Sequence, residues 1–283
     1  MRWQNRRRSS NIEDRRGTRG RKMTLGGGLG AVVLVLIYMF VGGDKEKISQ
    51  GIQSLQQNNT SQTRALTQQE KELGEFVAVV LADTEDVWHM LFRRNDLQYR
   101  EPKLVLFSTA VESACGFSQS ATGPFYCSAD EKIYIDLNFL QELQRRLNAP
   151  GDFAMAYVIA HEVGHHVQKL LGVMDQRAQM YQRSSKSEYN RYMVRLELQA
   201  DFFAGIWAHH AQRMHNILEE GDIQEGINAA GAVGDDRIQK KTRGYVVPDS
   251  FTHGTSKQRA RWFLKGWKSG DLSQGNTFKA RSL

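Results

Sequence analysis

Cysteine is scarce: the 283-residue chain has two, too few for a small fold held together by disulfides. Four prolines and no G-x-y period exclude a collagen-like or proline-rich chain. No internal repeat is visible. A hydrophobic share of 40% and a charged share of 24% exclude wholesale disorder. Most of the chain also lacks a surplus of either charge. The formal net charge is +7, but residues 1–24 hold nine Lys/Arg against two acidic residues, and the remaining 259 residues carry 29 of each sign. Nucleic-acid binding is therefore not expected, because the basic excess is confined to a short tail containing Arg6, Arg7 and Arg8.

The tail precedes LGGGLGAVVLVLIYMFVGG (25–43), nineteen residues without a charge. As a helix this run is about 28 Å long, close to the hydrocarbon thickness of a bilayer. Ala31–Val41 is apolar all round, unlike the one-sided stripe of a surface helix. A cleaved signal peptide is the main rival. The 28 residues before Leu29 are long for its basic region, however, and no A-x-A site occurs. The expected layout is a basic cytoplasmic segment 1–24, a transmembrane helix 25–43, a Gln/Ser/Asn-rich linker 44–66 and a domain 67–283. By the positive-inside rule the domain faces the periplasm, with the chain held in the inner membrane. Export permits a disulfide between Cys115 and Cys127, closing an eleven-residue loop that contains Gly116, Gly123 and Pro124.

Within the domain, T-Q-Q-E at 67 reads as a capping box opening a helix over 68–94, where Phe76, Val77, Val80, Leu81, Val87 and Trp88 recur at helical spacing. KLVLF (103–107) and KIYID (132–136) read as strands. A helix over 153–171 follows Asp152, a candidate N-cap, and stops at Gly172. Another runs from about 187 to 211, and D-I-Q-E at 222 and T-S-K-Q at 255 open two more. The fold class is α+β, mostly helical, with a small sheet.

The chemistry centres on His161-Glu162-Val163-Gly164-His165. Histidines at i and i+4 lie one turn apart on one helix face and can converge on a single Zn²⁺. Glu162 is then placed to take a proton from the attacking water and deliver it to the leaving amine. A charged glutamate within AYVIAHEVGHHVQKLL needs such a task, because burying it otherwise is costly. A catalytic zinc needs a third ligand and an open position. Glu197 and Asp201, one turn apart on the next long helix, supply a ligand and an acceptor that orients a zinc histidine. His209, His210 and His215 are rival third ligands. His166 points about 140° away from His161 around the helix.

The chain resembles the bacterial neutral zinc metallopeptidases. The matching stretches span nearly its whole length: MRWQ, NIEDRR, GPFYC, IYIDL, YVIAHEVGHHVQKLLG, ELQAD, GDDR and VVPDSFTHGTSKQR. The resemblance implies a zincin-like domain behind one membrane-spanning segment, one zinc on His161, His165 and Glu197, and a catalytic Glu162. Further cysteines are associated with the family near ELQAD and the C-terminus; Phe202 and Gly275 stand there. The loop Ser250–Thr255 resembles the Ser-Thr-His loop of another gluzincin group, which makes His253 a candidate hydrogen-bond donor to the oxyanion, with Arg259 or Arg261 bracing the region. KIYID is the candidate edge strand for an extended peptide substrate. The expected activity is hydrolysis of peptide bonds by a membrane-anchored zinc metallopeptidase. The alternative is a non-catalytic zinc-containing scaffold that binds peptides or envelope proteins.

Overall fold

Thr67 opens the first long helix. Its hydroxyl accepts the Glu70 N–H, and the Glu70 carboxylate accepts the Thr67 N–H in return. The computed structural model describes residues 1–16, 65–119, 123–139 and 151–283. The expected span 25–43 lies outside them, as does nearly all of the linker 44–66. No described helix is long and apolar enough to cross a membrane. Helix α1 (Gln68–Arg94) buries Phe76, Val77, Val80, Leu81, Val87 and Trp88, the stripe legible in the sequence.

Among the described residues six short strands follow the hydrophobic runs: β1 (Ile12–Asp14), β2 (Lys103–Phe107), β3 (Ala110–Ser113), β4 (Gly116–Gln119), β5 (Phe125–Cys127) and β6 (Lys132–Asp136). β3 and β4 pair with each other, and the other four form a sheet in the order β1-β2-β6-β5. The β1–β2 and β2–β6 pairs are parallel, and β5 runs antiparallel to β6. KIYID is therefore an interior strand, not the expected edge. It pairs with β2 over all of Lys132–Asp136 and with β5 over Lys132, Ile133 and Tyr134, and the edge next to it among the described residues is β5. Cys115 and Cys127 are disulfide-bonded, which ties the β3–β4 turn to the end of that edge strand.

The chain continues through α2 (Asp152–Leu170), α3 (Arg177–Arg183), α4 (Lys186–His215), α5 (Asp222–Ala232), α6 (Asp235–Arg243) and α7 (Ser256–Ser269). The capping boxes are formed at Ser185/Glu188 and Thr255/Gln258. Asp152 and Asp222 are not N-caps: Gly151 and Gly221 occupy those positions, and both aspartates lie in the first turn. Their carboxylates face the Met1 ammonium instead, at 2.5 and 3.4 Å. Helices α4 and α7 cross backbone to backbone. A Cβ on Gly205 would lie 2.1 Å from the Phe263 carbonyl oxygen, and one on Gly266 would lie 2.1 Å from that of Phe202. Gly275 is a direct neighbour of the Phe202 ring, so the two positions associated with extra cysteines are adjacent in space.

Met1–Asp14 and Thr67–Leu283 form one compact unit, with Arg15–Leu66 as a second. The first fourteen residues belong with the domain, because β1 extends its sheet and Met1 is buried in its main core. The architecture is the expected mostly helical α+β fold with a small sheet.

Candidate metal centre

The centre is built where α2 packs on α4. A Cβ on Gly164 would meet the Ala200 carbonyl oxygen at 3.0 Å and its Cα at 3.1 Å, so the glycine inside H-E-x-x-H lets the two helices touch. That approach brings Glu197 to both histidines. His161 Nε2 lies 3.2 Å from Glu197 Oε2, and His165 Nε2 lies 3.4 Å from Glu197 Oε1. Among the described residues these three form a group whose ligand atoms all fall within 4.8 Å of one another, with all three side chains buried.

Each imidazole is held from behind. His161 Nδ1–H donates to Asp201 Oδ1 at 2.9 Å, and His165 Nδ1–H donates to Gln168 Oε1 at 2.9 Å. With Nδ1–H committed behind each ring, Nε2 is the nitrogen turned to the centre, where a metal would displace any proton it carries, the arrangement that metal-ligating histidines use. Gln168 is itself anchored, donating to the Leu196 carbonyl at 2.7 Å and to Gln199 Oε1 at 3.1 Å. Two neutral nitrogen donors and one carboxylate suit Zn²⁺ and leave room for a fourth ligand.

Asp201 is completely buried and does more than face His161. It accepts the Tyr157 hydroxyl at 2.5 Å and a two-point contact from Arg259, Nε to Oδ2 at 2.8 Å and an η-nitrogen to Oδ1 at 2.9 Å. Burial pushes its carboxyl up, but Arg259 and His161 outweigh that and hold it down at about 2. Burial likewise opposes charging of His161, yet Asp201 and Glu197 raise it to about 9 in the metal-free protein. Burial would raise Glu197, but the two histidines keep it well below the usual carboxylate range. The pocket is thus electrostatically set to hold a cation.

The carboxylate of Glu162, next to the first ligand, has no hydrogen-bond partner among the described residues, and the side chain lines a cleft of about 520 Å³. The cleft is walled by Phe125, Phe139, Val158, Met193 and Leu196 and reached by His253. The His253 loop is shaped by Asp235, whose Oδ2 accepts the backbone N–H groups of Thr252, His253 and Gly254 at 2.8, 2.6 and 3.0 Å. Asp235 Oδ1 lies 3.2 Å from His253 Nδ1, and Nε2 has no partner among the described residues. Burial lowers the His253 pKa, but the Asp235 hydrogen bond and the nearby Glu197 raise it above its ordinary value.

The structure brings together His161, Glu162, His165, Glu197, Asp201 and His253, and adds Tyr157, Gln168 and Asp235. Arg259, not Arg261, is the bracing arginine; Arg261 reaches the C-terminal residues Ser282 and Leu283. The rival histidines are engaged elsewhere. His209 and His210 bond to the carbonyls of Trp267 and Gly270, and His215 pairs with Asp86. His166 donates to the Arg100 carbonyl at 2.7 Å and accepts from Tyr126 of β5 at 3.0 Å, so it fixes the edge strand beside the cleft. A second acidic group, Asp152, Asp222 and Glu225, lies where the Met1 ammonium is bound.

Comparison with known proteins agrees with this geometry. Residues 1–278 match the family described as "Putative neutral zinc metallopeptidase". The chain belongs to this family. It is 47% identical to the uncharacterized protein YpfJ of Escherichia coli K12 over 98% of its own length and 99% of that protein. It is 43% identical to an uncharacterized protein of Mycobacterium tuberculosis H37Rv over 65% of each chain. No solved structure matches it.

Proposed function

We propose that this family member hydrolyses peptide bonds, with His161, His165 and Glu197 holding a zinc ion and Glu162 as the catalytic acid and base. The observation that carries the reading is the carboxylate of Glu162, unpartnered among the described residues, in the same cleft as the three converging ligand atoms. A scaffold that merely retains zinc has no use for an unpartnered acid there. Zinc bound by these side chains would supply Lewis-acid chemistry, polarising a carbonyl and making water a stronger nucleophile at neutral pH.

The chain's own residues account for the rest. Glu162 accepts the proton of the attacking water and returns it to the leaving amine. His253 in its protonated form, which Asp235 and Glu197 favour, donates Nδ1–H to Asp235 and offers Nε2–H to the oxyanion that develops on the substrate carbonyl. The outer edge of β5 borders the cleft through Phe125 and Tyr126, and an extended peptide adds to it as a further strand. The apolar walls exclude water and strengthen every charge interaction between them. The test is digestion of a peptide library by the full chain, before and after a chelator, with zinc added back. Cleavage lost on chelation and restored by zinc supports the proposal; cleavage indifferent to the chelator overturns it.

A further inference from the structure

The first fourteen residues of the basic tail, read from sequence as a marker of membrane orientation, pack against the domain. Arg6 forks onto Asp83 of α1, its two η-nitrogens 2.7 and 2.6 Å from the carboxylate oxygens. Arg7 lies 3.0 Å from Glu85 and 2.7 Å from Asp86, and Arg8 lies 3.0 Å from Glu75. Asp83 is almost wholly buried. Withdrawing Arg6 would leave a buried carboxylate without its cation, a strongly destabilising change.

The backbone is committed as well. β1 pairs with β2 in parallel over three residues, Ile12 to Leu104 through Asp14 to Leu106. Leu104 N–H donates to the Asn11 carbonyl at 2.8 Å. Residues Leu104–Leu106 are buried, so removing β1 would strand ladder groups that water reaches poorly. The Trp3 ring meets Phe76 edge-on at 5.6 Å. Ion pairs, a strand and aromatic packing all require residues 1–14 to be in contact with the body formed by 67–283.

A bilayer cannot lie between parts in contact. One crossing by the intervening chain would put about 30 Å of hydrocarbon between them. Arginines 6, 7 and 8, neutralised by carboxylates of α1, would also contribute little to the positive-inside preference. From this packing we propose that the chain crosses any bilayer an even number of times, zero included, between residues 14 and 67. The N-terminal arm and the metal-bearing domain then share one side of the membrane, in contrast to the single-crossing orientation expected from sequence.

The test is thiol labelling of the full-length chain in cells, with Ser10→Cys or Lys268→Cys introduced singly. Both positions are exposed, and the native cysteines are joined in the disulfide. The parent chain supplies the background, and a denatured lysate shows that each new thiol reacts. A membrane-impermeant maleimide is applied before and after permeabilisation of the inner membrane. The expected result is that both thiols are labelled in intact cells, or that both are labelled only after permeabilisation. Labelling of one before and of the other only after would overturn the proposal. The docking itself is checked by charge exchange in the purified full chain: Arg6→Asp lowers the melting temperature, and adding Asp83→Arg recovers part of the loss. An unchanged melting temperature in Arg6→Asp would count against the arm as part of the fold.

Discussion

Arg259 grips both carboxylate oxygens of Asp201, at 2.8 and 2.9 Å, and Asp201 passes one of those oxygens on to His161 Nδ1 at 2.9 Å. A cation on α7 thereby orients a ligand on α2 through an acid on α4. Replacement of Arg259 by Ala leaves Asp201 charged and buried, at a cost of about 3–5 kcal/mol. Loosening the support behind His161 lowers zinc affinity about 10–100-fold. Arg259→Lys keeps the charge but loses the two-point fork, so its effect is intermediate. Denaturant unfolding and a zinc competition titration measure the two effects separately.

Gly164 fixes how near Glu197 comes to the histidines. Ala at this position presses on the Ala200 backbone and parts α2 from α4. The expected destabilisation is about 1–3 kcal/mol, with a zinc affinity loss larger than that of Gly231→Ala. Gly231 is a helical glycine with only ordinary contacts around its missing Cβ. Metal titration of the two variants side by side checks this.

The metal-free protein has a pH dependence of defined sign. His161 titrates at about 9 when folded, against an ordinary 6.5. Its charged ring therefore stabilises the fold fully below about pH 6.5, and that contribution is lost as the pH climbs through about 9. The size is about 3 kcal/mol. Zinc binding displaces the same proton, so affinity rises with pH over this window and protons are released on loading. Unfolding of the chelated protein between pH 6 and 10, with zinc titrations in buffers of different ionisation enthalpy, tests both statements.

His253 acts on the transition state if it donates to the oxyanion. His253→Ala is expected to lower kcat by about 100-fold or more while leaving KM and zinc content nearly unchanged. Asp235→Ala should reproduce much of that loss, because it frees the loop and the ring together. Steady-state kinetics on one cleaved peptide separates kcat from KM.

Sequence spacing reveals what is local. His161, Glu162 and His165 are set by one helical turn, Glu197 and Asp201 by another, and the capping boxes at Thr67 and Thr255 by a three-residue offset. Pairings between distant segments are not written in spacing. KIYID reads correctly as a strand, but alternation says nothing of its neighbours, and the edge fell to the three-residue β5. Asp235 looks like an ordinary first-turn acid of α6 until its carboxylate is seen collecting three N–H groups of the His253 loop. The arginines at 6, 7 and 8 read the same whether they face lipid headgroups, water or the acids of α1. Asp152 and Asp222 resemble N-caps because the Met1 ammonium, their actual partner, is far away in sequence.

The proposed reaction divides the work: Glu162 handles protons while His161, His165 and Glu197 hold the metal. It is tested most directly by measuring zinc content and peptide hydrolysis on the same preparation of Glu162→Gln, beside the wild type. The account predicts one zinc per chain in both, with hydrolysis in the variant reduced by about 10²–10⁴-fold. A fully loaded variant that cleaves at the wild-type rate would contradict it.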